Sequence, residues 1–152
     1  MKIALFHKLI TLGAAVALFG FVPHAEGGEE NKNAGPKDME EAMDLMSGSL
    51  KGLRRLRRDP DRWTKSAALV AEGSQSVIAA MKWIPKEIKE LPAGPDKIKA
   101  LADSRRLMGL TLAGFAELEL AFLAEDEEKV EAVLDKLKEI KAESHEKYNR
   151  GE

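Results

Sequence analysis

The stretch LKEIKAESHEKY, residues 137–148, has the pattern of an amphipathic helix and contains His145, the only histidine after residue 24. His145 stands 8 residues after Leu137 and 11 after Leu134. At about 100° per residue, both intervals return to nearly the same direction around a helix. We therefore expect His145 on the apolar stripe of the last helix, facing the protein core.

Upstream, the spacing of apolar residues predicts a first helix from Lys37 to about Arg58. Its apolar residues recur at intervals of 4, 3, 4 and 3, which makes one stripe of an amphipathic helix: Met39, Met43, Met46, Leu50 and Leu53. Asp59 and Pro60 break this helix and start the next, with Asp59 as the cap and Pro60 in the first helical position.

The same reading predicts three more helices. The second carries an apolar side made of Trp63, Ala67, Val70, Val77, Met81 and Ile84, and it ends at Pro85. The connection 85–95 is expected to hold one short turn. The third begins near Asp96 and carries Ile98, Leu101, Leu107, Leu110, Phe115, Leu118 and Phe122. The fourth begins at Glu125-Asp126, where acidic residues suit the positive end of a helix.

Two glycines in the third helix, Gly109 and Gly114, each cost about 1 kcal/mol relative to alanine. Such positions favour the close approach of a neighbouring helix or of a flat ligand.

Composition bounds the class of protein. A chain of 152 residues with 44% hydrophobic and 33% charged residues is long enough for one domain with a core. Few β-branched residues and no sustained alternation favour an all-helical fold. The chain has no cysteine, which excludes disulfides, thiolate metal sites and haem attached through Cys-x-x-Cys-His. A net charge of -2 argues against nucleic-acid binding.

The N-terminal region has the layout of a secretory signal. Residues 1–25 open with Lys2 and Lys8, and then run apolar for 14 residues from Leu9 to Val22, interrupted by Thr11. That run is shorter than the roughly 20 residues needed to span a bilayer as a helix. We expect cleavage after Ala25 and export, with an uncleaved anchor as the alternative. Residues 26–36 are polar and predict a disordered tether to a domain at 37–150.

Four helices joined by short turns at 59–60 and 124–126 predict an antiparallel, up-down-up-down four-helix bundle. In that topology the start of the first helix and the end of the fourth lie at the same end. Met43 and His145 are therefore expected at the same depth, each on a core-facing stripe.

Chemistry limits what such a pair can do. Zinc needs more nitrogen, oxygen or thiolate donors, and one histidine does not make a catalytic triad. Copper would take Met39, Met43, Met46 and His145, although a further strong donor is missing. Haem iron needs only two axial ligands, and Met/His ligation suits electron transfer. Ordinary core packing of Met43 and a structural or surface role for His145 also remain open.

Two segments resemble the cytochrome b562 family of exported four-helix-bundle haem proteins. In the first, MEEAMDLMSGSLK at 39–51, Met43 stands seven residues before Leu50-Lys51, as the axial methionine of that family does. In the second, His145 comes eight residues after Leu137 and is followed by Lys147 and Tyr148, as the axial histidine is. The resemblance covers roughly residues 37–150.

This resemblance implies that Met43 and His145 are the axial ligands of one noncovalent b-type haem. Leu107 and Leu110, with Gly114, would line the flat ring. Arg106, with Arg105, would meet the haem propionates at the same end of the bundle, unless the two arginines are simply solvated.

The function expected on this basis is single-electron transfer in the periplasm, not enzymatic catalysis. The expected partner is a redox protein, with no nucleic acid, no stable membrane insertion after signal cleavage, and a monomer or weak dimer in solution. The alternative is a haem-free exported bundle that acts as a structural or interaction module.

Overall fold

The computed structural model describes residues 35–148, in which every regular element is an α-helix. The helices are α1 (Met39–Leu56), α2 (Arg62–Ala80), α3 (Lys86–Glu90), α4 (Pro95–Leu123) and α5 (Glu127–Tyr148). The predicted all-helical fold is confirmed for this part of the chain. The predicted signal peptide (1–25) and the tether (26–36), apart from Gly35 and Pro36, lie outside the described residues.

Local signals in the sequence explain where several helices begin. The Asp38 carboxylate accepts a hydrogen bond from the Glu41 backbone N–H at 2.8 Å and so caps α1. At the start of α5, the Asp126 carboxylate accepts from the Lys129 N–H at 2.9 Å in the same way. Pro95 opens α4, where its missing N–H costs no helical hydrogen bond.

The start and the end of α2 differ from the prediction. Asp59 does not cap this helix: its carboxylate accepts from the Asp61 N–H at 2.9 Å, which makes a tight turn, and α2 begins only at Arg62. The helix ends at Ala80, before Met81 and Ile84, which are 45% and 38% exposed. The expected short turn in the following connection is the short helix α3, so the predicted third and fourth helices are α4 and α5.

The core is formed by the apolar stripes of the four long helices. Phe115 and Leu118 of α4 are completely buried, as are Val70 and Val77 of α2. α1 contributes Leu53, and α5 contributes Val130, Val133 and Leu137. These positions recur at helical spacing, so burial of one face of each helix is the main source of stability.

Glycines mark two close approaches between helices. A Cβ atom added to Gly73 of α2 would collide with Ser49 of α1 and Phe115 of α4. A Cβ atom added to Gly114 of α4 would lie 2.6 Å from the Leu137 side chain of α5. Gly114 therefore serves helix packing. Gly109 has open space around it, so the close approach of a neighbouring helix predicted there is wrong.

Two apolar residues predicted on the core face of α4 are instead exposed: Ile98 by 69% and Leu110 by 37%. Of the helices in residues 35–148, none combines the length and apolar character needed to cross a membrane.

Candidate functional site

A long groove runs between α1 and α5. Helix α1 packs on α2, α2 on α4, and α4 on α5. Within residues 35–148, α1 and α5 have few or no direct contacts with each other. The space between them is about 1480 Å³, more than the roughly 300–1,000 Å³ of a typical small-molecule pocket. Its apolar lining includes Met39, Met43, Met46, Leu50, Leu53, Trp63, Leu107, Met108, Phe115, Phe122, Val130, Leu134, Leu137 and Ile140.

Three of the predicted site residues lie on this groove. Met43 is half-buried, Leu107 is 2% exposed, and both line the groove wall. His145 lines the groove from α5 and is exposed to solvent. We expected His145 on the core-facing stripe of the last helix; it lies on the groove wall, but its side chain is exposed rather than buried. The physical reason is that α1 does not close over the end of α5.

Leu110 and Arg106 are not among the residues that line the groove. The α4 residues next to Leu107 that line the groove are Met108 and Thr111. Arg106 instead bonds to carboxylates: its Nε lies 2.8 Å from Asp103 Oδ1, and its guanidinium also reaches Glu143 on α5.

Methionines are concentrated along the groove. Met39, Met43 and Met46 enter from α1, and Met108 enters from α4. The role of Met108 was not foreseen from the sequence. The signal was present, because Met108, Thr111, Phe115 and Phe122 follow one another at intervals of 3, 4 and 7 and so form one helical stripe.

At the end of α5 beside His145, five polar side chains connect α4 to α5. We call this group, Asp103, Arg106, Glu143, Lys147 and Tyr148, the α4–α5 clamp. Asp103 Oδ2 accepts from Lys147 Nζ at 2.9 Å and from the Tyr148 hydroxyl at 2.9 Å. The Lys147 ammonium also donates to Glu143 Oε1 at 2.8 Å. The Tyr148 hydroxyl lies 3.3 Å from the Ala100 carbonyl oxygen, which gives it a second acceptor on α4.

These contacts shift the titration of the clamp residues. Hydrogen bonding to Lys147, followed by that to Arg106, lowers the pKa of Asp103 from 3.8 to about 2. Glu143, mainly through Lys147, has a lowered pKa, and the pKa of Lys147 is raised by Glu143 and Asp103. Burial raises the pKa of Tyr148, and its bond to Asp103 adds to the effect.

At the other end of the groove, the start of α2 contacts the start of α5. Arg62 at the start of α2 makes an ion pair of 2.5 Å with Glu127 at the start of α5. The same guanidinium lies 4.0 Å from the centroid of the Trp63 ring, and Trp63 contacts Phe122 with ring centroids 6.1 Å apart. The aromatic rings of Trp63 and Phe122 therefore line this end of the groove, next to the Arg62–Glu127 ion pair.

The donor set of the groove fits a cofactor that needs few protein ligands. In the part of the chain that the structure describes, no three His, Cys, Asp or Glu side chains are grouped to hold a metal ion. The groove offers a thioether at Met43 and an imidazole at His145, with apolar walls between. A haem, whose porphyrin supplies four of six iron ligands, needs only two such donors, whereas a structural zinc ion needs four protein ligands.

Comparison of the chain with protein-family models, with curated proteins and with solved structures finds no match.

Proposed function

We propose that this chain binds one noncovalent b-type haem in the α1–α5 groove, with Met43 and His145 as axial ligands. The observation that carries the proposal is that both residues line the same groove, although 102 positions separate them in the chain. The protein would act as an exported, periplasmic electron carrier of the cytochrome b562 type, with another redox protein as its partner.

The contacts at the far end of the groove support an up-down-up-down four-helix bundle. The backbone hydrogen bond from Asp59 N–H to the Leu56 carbonyl, 2.9 Å, closes a short turn between α1 and α2. The Arg62–Glu127 ion pair then brings the start of α2 to the start of α5. In such a bundle the end of α1 and the start of α5 would share one end. Because both helices are long, Met43 and His145 would share the other.

Haem with Met/His ligation would supply a one-electron couple with no open coordination position, which suits electron transfer rather than oxygen chemistry. The residues of this chain have three tasks in that arrangement. Met43 and His145 provide the two axial donors. Leu107, with Leu137 and Ile140 of α5, provides an apolar wall that excludes water from the ring. The exposed position of His145 leaves one edge of the site accessible to a partner protein.

The test is a hemin titration of the purified chain, followed by absorbance. We expect a sharp Soret band and split visible bands on reduction. His145→Ala should abolish the low-spin spectrum, and Met43→Ala should leave haem bound but high-spin. Met81→Ala is the matched control, since Met81 is exposed and is not among the groove-lining residues.

Absence of a Soret band in the wild-type chain would reject the haem proposal and favour the haem-free structural or interaction module. Loss of the low-spin spectrum in Met39→Ala or Met46→Ala, with Met43→Ala normal, would show that the wrong methionine was chosen.

Copper(I) is the second candidate, and the presence of Met108 on the same groove as the three α1 methionines favours it. Thioethers are soft donors that select Cu(I), and His145 would add a nitrogen. Competition of the chain with a chromogenic Cu(I) chelator measures this directly. Tight uptake that is lost in a Met108→Leu variant would support copper binding, and unchanged uptake in that variant would remove the reason for proposing it.

A further inference from the structure

Helix α5 continues for two turns beyond its last buried residue. Ile140 is 8% exposed, and none of residues 141–148 is buried; only Glu143, Ser144 and Tyr148 are half-buried. Helix ends without buried apolar contacts fray easily, because little free energy opposes local opening. His145 lies inside this segment.

Hydrogen bonds and ion pairs join this segment to α4. Asp103 is the centre of them, since one carboxylate accepts from Lys147 and Tyr148 of α5 and from Arg106 of its own helix. Arg106 then reaches across to Glu143, one turn before Lys147. The bonds therefore hold residues both before and after His145 in the same two turns.

The side chain of Asp103 is also less exposed than those of the two cations that it binds: 27%, against 45% for Arg106 and 41% for Lys147. A carboxylate that accepts several charge-assisted hydrogen bonds fixes its partners in direction as well as in distance. Removing it would release Lys147 and Tyr148 together.

We propose that Asp103 is a positioning residue: through the α4–α5 clamp it holds the last two turns of α5 against α4 and so sets the place of His145 on the groove. The part of this inference that concerns haem rests on the proposed function. The part that concerns the order of α5 does not. Arg106, which was predicted to meet the haem propionates, is on this proposal part of the clamp.

The first experiment measures amide hydrogen exchange in the full chain without haem. Asp103→Asn keeps the shape of the side chain and removes its charge. We expect exchange at residues 142–148 to become about three- to tenfold faster, with no change at 130–140. Asp103→Glu, which restores the charge, should recover part of the protection.

Glu117→Gln is the matched control. Glu117 also forms an ion pair between α4 and α5, with Lys136 at 3.0 Å, but beside the buried residues of α5 and away from His145. Its exposure, 40%, is in the range of the clamp residues. Equal exchange in Asp103→Asn and wild type, or equal loosening in both variants, would overturn the positioning role.

The second experiment adds hemin to the same variants. We expect Asp103→Asn to raise the Kd for hemin about tenfold and to lower the low-spin fraction, with Glu117→Gln unchanged. A wild-type chain that gives no low-spin haem rejects the proposed function, and the exchange experiment still decides the clamp. Faster exchange with an unchanged haem spectrum would overturn the part of the inference that concerns the ligand.

Discussion

The two halves of α5 are held in different ways. From Glu127 to Ile140 the helix presents four buried apolar side chains to the core: Val130, Val133, Leu137 and Ile140. From Lys141 to Tyr148 it has none, and the α4–α5 clamp provides hydrogen bonds and ion pairs in their place. Apolar burial has no direction and responds little to pH or salt, whereas exposed ion pairs respond to both. The half that carries His145 is thus the half whose position solution conditions can alter.

The largest effect is expected from the apolar half. Leu137 is 5% exposed and packs against Gly114 of α4, so Leu137→Ala leaves a cavity at the centre of the α4–α5 contact. We expect a loss of about 2–5 kcal/mol in the free energy of unfolding, measured by urea denaturation. Glu139→Ala, at an exposed position two residues later, should change it by less than about 0.5 kcal/mol. Similar losses in the two variants would mean that α5 is not anchored by its apolar stripe.

A pair of glycines in α4 sharpens the same comparison with a smaller effect. Gly109 has open space around it, and Gly109→Ala should stabilise the protein by about 0.5–1 kcal/mol, because alanine is the better helix former. Gly114→Ala has the same helical gain, but the new methyl group displaces Leu137, at a cost of about 1–3 kcal/mol. The melting temperature should therefore rise in the first variant and fall in the second. A rise in both would show that the α4–α5 contact is loose enough to take a methyl group.

Most of the helical structure could be predicted because its causes are local. The apolar spacing in α1, the proline at the start of α4 and the acidic cap of α5 act within a few residues. The errors fall where two local signals compete. Asp59 has the side chain of a helix cap, but it accepts from Asp61 in a tight turn instead, and α2 starts two positions later than predicted.

The candidate site was harder to predict, because it depends on which helices fail to pack. The sequence placed Met43, Leu107 and His145 on apolar stripes, and all three line the groove. That His145 is exposed depends on the gap between α1 and α5, which no local pattern encodes. Leu110 was predicted on the wrong face of its helix. The face of α4 that lines the groove runs from Leu107 through Met108 and Thr111, and Leu110 lies on the other side of Leu107.

The clamp half should respond to acid before the apolar half does. The pKa of Asp103 is about 2 in the folded chain, below its ordinary value of 3.8. Its contribution to stability is therefore complete above the ordinary value and is lost as the pH falls toward 2. Glu143, whose pKa is also lowered, adds to the loss in the same direction.

We expect the NMR signals of residues 141–148 to lose helical shifts on titration from about pH 5 to about pH 2, while those of 130–140 stay helical. The Asp103→Asn variant should show a smaller change over that interval. Simultaneous loss of both segments would mean that α5 melts as one unit and that its halves are not held separately.

The smallest effect is a shift in one titration that can be read without ambiguity. Tyr148 is the only tyrosine of the chain, so the absorbance of tyrosinate reports on this residue alone. Burial raises its pKa above 10.0, and its hydrogen bond to the Asp103 carboxylate raises the pKa further. Asp103→Asn removes the second cause and keeps the first, so the midpoint should fall. Glu117→Gln should leave it in place. A midpoint that does not move in Asp103→Asn would show that Tyr148 and Asp103 are not in contact in solution, and α4 would then lack its central bond to the turn that carries His145.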